Sequence, residues 1–460
     1  MVAGLSPRAP ALRDRVTAAS ARIGPIGVVV ALGATLTAVA ATIGADARWL
    51  DALGQIIVRR DSIPNDIPWA SAPSAGWHNV PVLAELTFRG LIAVAGDRGL
   101  LAAQVVAVGA ALAILAWDLR REGADEFAGA LVLLIVVIGS LPVFVVVRSQ
   151  LFSVLLFPML IALLRADARS PSRRIWLLVP LLALWSNLHG AVLVGLAVAG
   201  AYLIFGRGRR DAFLSSGVLI SSAVAVCATP ALQHTPDYYY GLLRNEAAKR
   251  GEGLWAPLSF TSGFDLLLIA AAVTLLVLAF RARPALWETI VLLGLVVLTL
   301  KTARSGVWLL FLAAAPASRG LQFERERTFR LAMPLVLTAG VLAVFGLARG
   351  PISTSAGGRL LDKAVRLAGG TPILAEAIPA EQVAADRGRV WLSNPLDAFR
   401  HRDQRLYLDW LAGRPAGDRA LEQARVVVVI RGHKPAGRLR NSPLFRQAAH
   451  DTNAVVYVRR

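Results

Sequence analysis

The chain has 460 residues, is 56% hydrophobic and only 17% charged, and carries a net charge of +19. Its mean hydropathy is +0.57. Soluble domains have about a quarter charged residues, so an ordinary soluble globule is excluded. No nucleic-acid-binding motif accompanies the positive charge, so nucleic acid is not the expected partner. The single cysteine, Cys227, allows no intrachain disulfide, and no Cys/His metal spacing occurs.

The apolar residues come in blocks of about 20, the length that crosses a bilayer core of about 30 Å. The expected fold is therefore an α-helical polytopic membrane protein. It has a basic cytoplasmic tail over residues 1–25, a transmembrane region over 26–348 and a soluble α/β domain over 349–460. About eleven spans are predicted: 26–45, 99–117, 127–147, 150–164, 175–187, 190–205, 212–230, 264–280, 285–300, 305–318 and 329–347. Arg8, Arg13, Arg15 and Arg22 precede the first block, which is too long for a cleaved signal core and is expected to be retained.

The block 81–96 is apolar but holds Glu85 and Arg89, four residues apart on one helical face. It is expected to lie flat on the membrane, where the two could pair. The loops 118–126, 165–174, 206–211, 281–284 and 319–328 then fall on one side, and each carries arginine, including Arg325 and Arg327. The positive-inside rule makes that side cytoplasmic. It puts 46–98, 231–263 and the tail outside. In the tail, 389–396, 425–432 and 454–460 read as strands, and 403–413 and 442–451 as helices.

Three polar groups mark chemistry at the outer ends of the spans. Asp46 follows the first span and Asp51 lies further along the same segment. A carboxylate there acts as a base or as a cation ligand, or it merely caps the span beside Trp49. Asn187 and His189 in WSNLHG (185–190) interrupt an apolar stretch. Polar groups at this depth are costly and often functional, the alternative being a hairpin that caps its own backbone. Arg148, Lys301 and Arg304 place cations outside, against the topological bias. They suit a phosphate or pyrophosphate, or they reach headgroups. The run Tyr238, Tyr239, Tyr240 either stacks on a sugar or marks the interface.

These elements resemble the GT-C superfamily of membrane glycosyltransferases. They are most similar to related bacterial, often actinobacterial, polytopic membrane proteins of uncharacterised activity. The residues carrying the resemblance are Asp46 to Trp49, Gly54 to Ile57, Ile63-Pro64, RSQLFS (148–153) and WSNLHG (185–190), across residues 26 to 320. The resemblance implies a polyprenyl-phosphate-linked sugar donor and a glycan, lipid or protein acceptor at the outer face of the cell membrane. It makes Asp46 the base or the ligand of a divalent cation. A second acidic residue often found beside it is replaced by Ala45 and Ala47, with Asp51 the nearest substitute. A non-catalytic envelope scaffold and a transporter are the other classes considered; no matched pair of interrupted spans supports the transporter.

Overall fold

A computed structural model describes residues 24–74, 76–321, 332–352, 356–385 and 388–460. The basic stretch through residue 23 and the arginines Arg325 and Arg327 lie outside these. Helices dominate, and a four-stranded sheet occupies the tail.

Helix α1 (Pro25–Ala40) packs along α15 (Ala332–Arg349). Their backbones come close because small residues face each other. The Thr35 hydroxyl donates to the Ala339 carbonyl at 2.8 Å, and a Cβ on Gly346 would stand 2.6 Å from the Ala38 oxygen. After α1 the two-residue strand β1 (Thr42–Ile43) leads into α2 (Ala45–Arg60). Helix α3 (Val82–Arg121) is bent at Gly96, whose φ of 58° and ψ of −145° leave helical geometry. Its first arm is the predicted surface segment, and its second is a predicted span. The Glu85–Arg89 pair that the spacing allows does not form. Glu85 is fully buried and accepts from the Asn79 amide at 2.8 Å. Arg89 turns instead to Asp51 at 3.4 Å, and Arg48 reaches Asp97 at 2.7 Å, so two ion pairs fix α2 along the bend.

The expected single span 127–147 is broken into α4 (Glu126–Gly139), a four-residue α5 (Leu141–Phe144) and strand β2 (Val146–Val147). There follow α6 (Gln150–Arg169), α7 (Leu178–Ser186), α8 (Val192–Phe205) and α9 (Ala212–Ala225). Next come α10 (Thr235–Arg244), α11 (Glu246–Arg250), α12 (Gly263–Arg281), α13 (Leu286–Lys301) and α14 (Gly306–Arg319). Among the described residues five helices, rather than about eleven, are long and apolar enough to cross a membrane: α3, α6, α8 with its following turn, α12 and α15. The shortfall has a physical source. Apolar composition continues through places where the helix stops, so hydropathy overstates helix length. Helix α7, for instance, has only nine residues.

The end of the bundle far from the tail is locked by charge. Arg165, buried, holds Asp118 at 2.6 Å, Glu288 at 3.0 Å and the Leu312 carbonyl at 2.7 Å. Arg169 and Arg319 join through Glu122. Asp167 binds Arg207 at 2.6 Å and accepts from the Tyr202 hydroxyl at 2.7 Å.

The tail is α/β as expected. Its strands are β3 (Ile373–Ala375), β4 (Val426–Ile430), β5 (Phe445–His450) and β6 (Ala454–Arg459), in the order β3-β4-β6-β5. The β3–β4 pair is parallel and the other two are antiparallel. Helices α16 (Gly358–Ala368), α17 (Ala377–Ala385), α18 (His401–Leu411) and α19 (Lys434–Arg440) complete it. The predicted helix over 442–451 is β5. Asp451 accepts from the amides of Asn453 and Ala454, which makes a tight turn and folds β5 back on β6. The predicted strand 389–396 contributes only Val390, which bridges Ile373 on one side and Ala70 on the other. The segment after α2 thus extends the tail sheet. The Ser71 amide donates to Val390 at 2.9 Å, and the Val390 amide to Trp69 at 3.0 Å. Arg250, just before the 231–263 loop turns back, holds Asp409 at 2.8 Å. Helix α17 lies on α2.

Candidate anion and acid–base site

The site begins with a backbone pairing. Strands β1 and β2 run parallel, Thr42 beside Val146 and Ile43 beside Val147. The Gly44 amide donates to the Val147 carbonyl at 2.9 Å. A Cβ on residue 44 would stand 3.0 Å from that oxygen and 3.6 Å from the Cβ of Arg148. Asp46, in the first turn of α2, is therefore brought to the same rim as Arg148. A carboxylate in a first helical turn is favoured by the helix dipole.

Arg304, in the turn between α13 and α14, lies with its guanidinium 4.2 Å from the centre of the Trp255 ring. Burial pulls its pKa down to about 10, against the attraction of Asp46, and the like charge of Arg148 adds to the fall. His189 sits in the turn between α7 and α8. Burial, then the charges of Arg304 and Arg148, lower it to about 3, so the ring is neutral. Asp46, Arg148, His189 and Arg304 thus share one electrostatic neighbourhood. Among the described residues neither guanidinium has a carboxylate partner in an ion pair, and the buried Nε of Arg148 has no acceptor. Two uncompensated, partly buried guanidiniums make a site for an oxyanion.

The RSQLFS and WSNLHG segments meet here. The Trp185 indole donates to the Ser153 hydroxyl at 2.7 Å, and that hydroxyl lies 2.7 Å from Nδ1 of His189. The Ala191 amide also donates to Nδ1, at 3.3 Å. With Nδ1 accepting, the neutral ring carries its proton on Nε2, leaving that nitrogen a donor.

Three sequence-predicted residues do not join the cluster. Asp51 is buried and bound to Arg89; burial raises its pKa, and it serves to hold α2 on α3. Asn187 caps α7: its amide donates to the Ala183 and Ala228 carbonyls at 2.8 and 2.7 Å, which is the backbone-capping alternative. Lys301 is exposed at the end of α13.

Other acidic and aromatic groups, not singled out from sequence, border the site. Trp77 donates its indole N–H to Asp397 at 3.2 Å. Burial pushes Asp397 up to about 6, partly offset by that bond. Tyr238 is raised by burial and by the charges of Asp397, Tyr239, Glu85 and Asp46, which ties it to the same region. The tyrosine run in the sequence pointed to Tyr238. Nothing in NPLDAF (394–399) distinguished Asp397 from a turn residue.

Among the described residues no three His, Cys, Asp or Glu side chains come together as a metal set. A divalent cation at Asp46 would take most of its ligands from water and substrate, beside two guanidiniums that repel it.

These features define a helical membrane protein with a docked α/β domain over a mixed cationic and acidic site. No protein-family model matches the sequence, and no curated protein is significantly similar to it.

Proposed function

We propose that the protein transfers a sugar from a polyprenyl-phosphate donor to an acceptor hydroxyl at the membrane face carrying the tail domain. The observation that carries this reading is that Asp46, Arg148 and Arg304 share one electrostatic neighbourhood, the two guanidiniums making no ion pair among the described residues. In the step, the acceptor oxygen attacks the anomeric carbon while its proton passes to the Asp46 carboxylate. The bond from that carbon to the lipid phosphate breaks, and the phosphate leaves with the electron pair. Arg148 and Arg304 stabilise the charge growing on it, and Nε2–H of neutral His189 adds a donor. A phosphate that leaves as an anion needs cations already in place, since moving them during reaction would raise the barrier.

The reading includes about eleven crossings, with residues 1–25 cytoplasmic and the tail outside. Its support is the arginine in the connecting loops and the grouping of Asp118, Arg165, Glu288 and Arg319 at the end opposite the tail. A reporter active only outside the cytoplasm, fused at residue 460, should be active; activity of a cytoplasm-only reporter there would reverse the orientation.

The test of the anion site uses polyprenyl monophosphate and purified protein in nanodiscs. Arg148→Ala and Arg304→Ala should each weaken binding by about tenfold or more, as expected for loss of a charge-assisted contact. Unchanged affinity in both variants would overturn the reading.

A further inference from the structure

A second feature lies beside this site and takes no part in the transfer step. A cavity of about 350 Å³ opens between Pro73, Gly76, Trp77 and His78 on one side, helix α10, and residues 397–400 of the tail. It is at the small end of the roughly 300–1,000 Å³ range of small-molecule pockets. Trp77, Tyr238 and Phe399 supply ring surfaces to its wall. The Trp77 and Tyr238 rings are inclined at 59° with centres 6.5 Å apart, so they form a corner rather than a closed stack. Asp397 stands in the same wall, tied to Trp77 by one hydrogen bond. Arg400 is exposed at the rim, and among the described residues it has no ion-pair partner. His78 lines the cavity too, stacked on His234 at 4.2 Å.

We infer that this cavity binds a neutral saccharide, on the aromatic faces of Trp77, Tyr238 and Phe399 and the hydrogen-bonding groups of Asp397 and Arg400. A sugar ring has an apolar C–H face and an edge of hydroxyls, which are both donors and acceptors. Aromatic rings bury the first, and a carboxyl group beside a guanidinium satisfies the second. The rival occupants fit worse. An anion would meet Asp397 and the exposed Asp237, which also lines the cavity, against a single arginine. A lipid chain would leave Asp397 and Arg400 without use and would bury polar groups unpaired, which is costly. The size suits a mono- or disaccharide.

The cavity is built by three separate parts of the chain, the segments following α2 and α9 and the tail domain. The tail is thereby given a role: it closes one wall. Tyr238 feels the charge of Asp46, so a bound sugar would lie near the proposed base. That the sugar is the acceptor rests on the transfer reading; that it binds does not.

The test uses the full chain in nanodiscs and four neutral disaccharides: maltose, mannobiose, galactobiose and N,N′-diacetylchitobiose. Ligand-observed saturation-transfer NMR should detect at least one of them. Asp397→Ala and Arg400→Ala, the second at an exposed position that leaves packing intact, should each weaken it by at least about fivefold, the loss of one hydrogen-bonding partner. Arg148→Ala should leave disaccharide binding unchanged. No signal from any of the four at about 10 mM, enough to fill a site of about 1 mM affinity, would overturn the inference. So would binding unaffected by both tail variants. Disaccharide binding in a protein that shows no affinity for polyprenyl monophosphate would keep the cavity and sink the transfer reading.

Discussion

The hydroxyl of Ser153 lies 2.7 Å from Nδ1 of His189, and it also accepts the indole N–H of Trp185 at 2.7 Å. This one oxygen joins the RSQLFS and WSNLHG segments and fixes which face of the imidazole is turned away from it. Ser153→Ala would leave the buried Trp185 indole N–H without its acceptor and His189 Nδ1 with the longer bond from the Ala191 amide alone. The expected loss is about 1–3 kcal/mol of stability, read as a lower midpoint of thermal unfolding in detergent. Ser153→Thr should restore most of it. An unchanged midpoint for Ser153→Ala would mean that the hydroxyl does not organise the turn.

The far end of the bundle should respond differently. Arg165→Met removes the only guanidinium, among the described residues, that reaches both Asp118 and Glu288; Asp118 is left with Arg169 at 3.9 Å and Glu288 with Arg319 at 3.0 Å, and breaking a buried ion pair costs up to about 3–5 kcal/mol. The midpoint should fall sharply, while the affinity of the folded fraction for polyprenyl monophosphate stays the same. A loss of affinity without a loss of stability would place this network in the site.

These two clusters show how far the sequence could be read. The segment 185–190 stood out because polar residues interrupt an apolar run, and 148–153 for its outer arginine and its resemblance to a known motif; the two do meet. Asp118 and Glu122 lie in a loop whose arginines alone bore on the topology, yet they are the partners of Arg165, Arg169 and Arg319. Spacing within a helix could not show this, because the partners lie on other helices. Asp51 failed for the same reason. It shares α2 with Asp46 but turns to Arg89 on α3. The eleven-span expectation rested on apolar content, which does not register where α4 breaks before β2 or how short α7 is. The strand β5 was hidden because RQAAH (446–450) has helix-forming composition, and only pairing with β6 makes it extended.

The raised pKa of Asp397 has a consequence for stability. Folding favours its protonated form, so the folded state holds a proton that the unfolded state releases between about pH 4 and pH 6. Stability from this group is present below that window and is lost as pH rises through it. Asp397→Asn keeps an acceptor for Trp77 and removes the charge. It should raise the unfolding midpoint at pH 7.5, by roughly 1–2 kcal/mol after allowance for solvent access, and change little at pH 4. A variant less stable than wild type at pH 7.5 would contradict the burial argument.

The tail should depend on the rest of the chain. Val390 has Ala70 as its sheet neighbour, and Trp69 donates to Ser393 at 3.0 Å. Expressed alone, residues 350–460 lose these partners and expose Trp391, Phe399 and the inner face of α17. The amide NMR spectrum of the fragment should be broad or poorly dispersed. A sharp, dispersed spectrum would show that the tail folds without its docking segment.

Sugar transfer itself is tested most directly by Asp46→Asn in proteoliposomes supplied with radiolabelled polyprenyl-phosphate sugars and a total lipid and glycan extract as acceptor. Asn keeps the size and the helix position but cannot take a proton. The account predicts that wild type passes label from at least one donor to the extract. It predicts that Asp46→Asn binds polyprenyl monophosphate as wild type does and transfers at least about a hundredfold more slowly, the scale of loss of a general base. Asp51→Asn should keep its transfer rate. Transfer at the wild-type rate by Asp46→Asn, or no transfer from any donor by wild type, would contradict it.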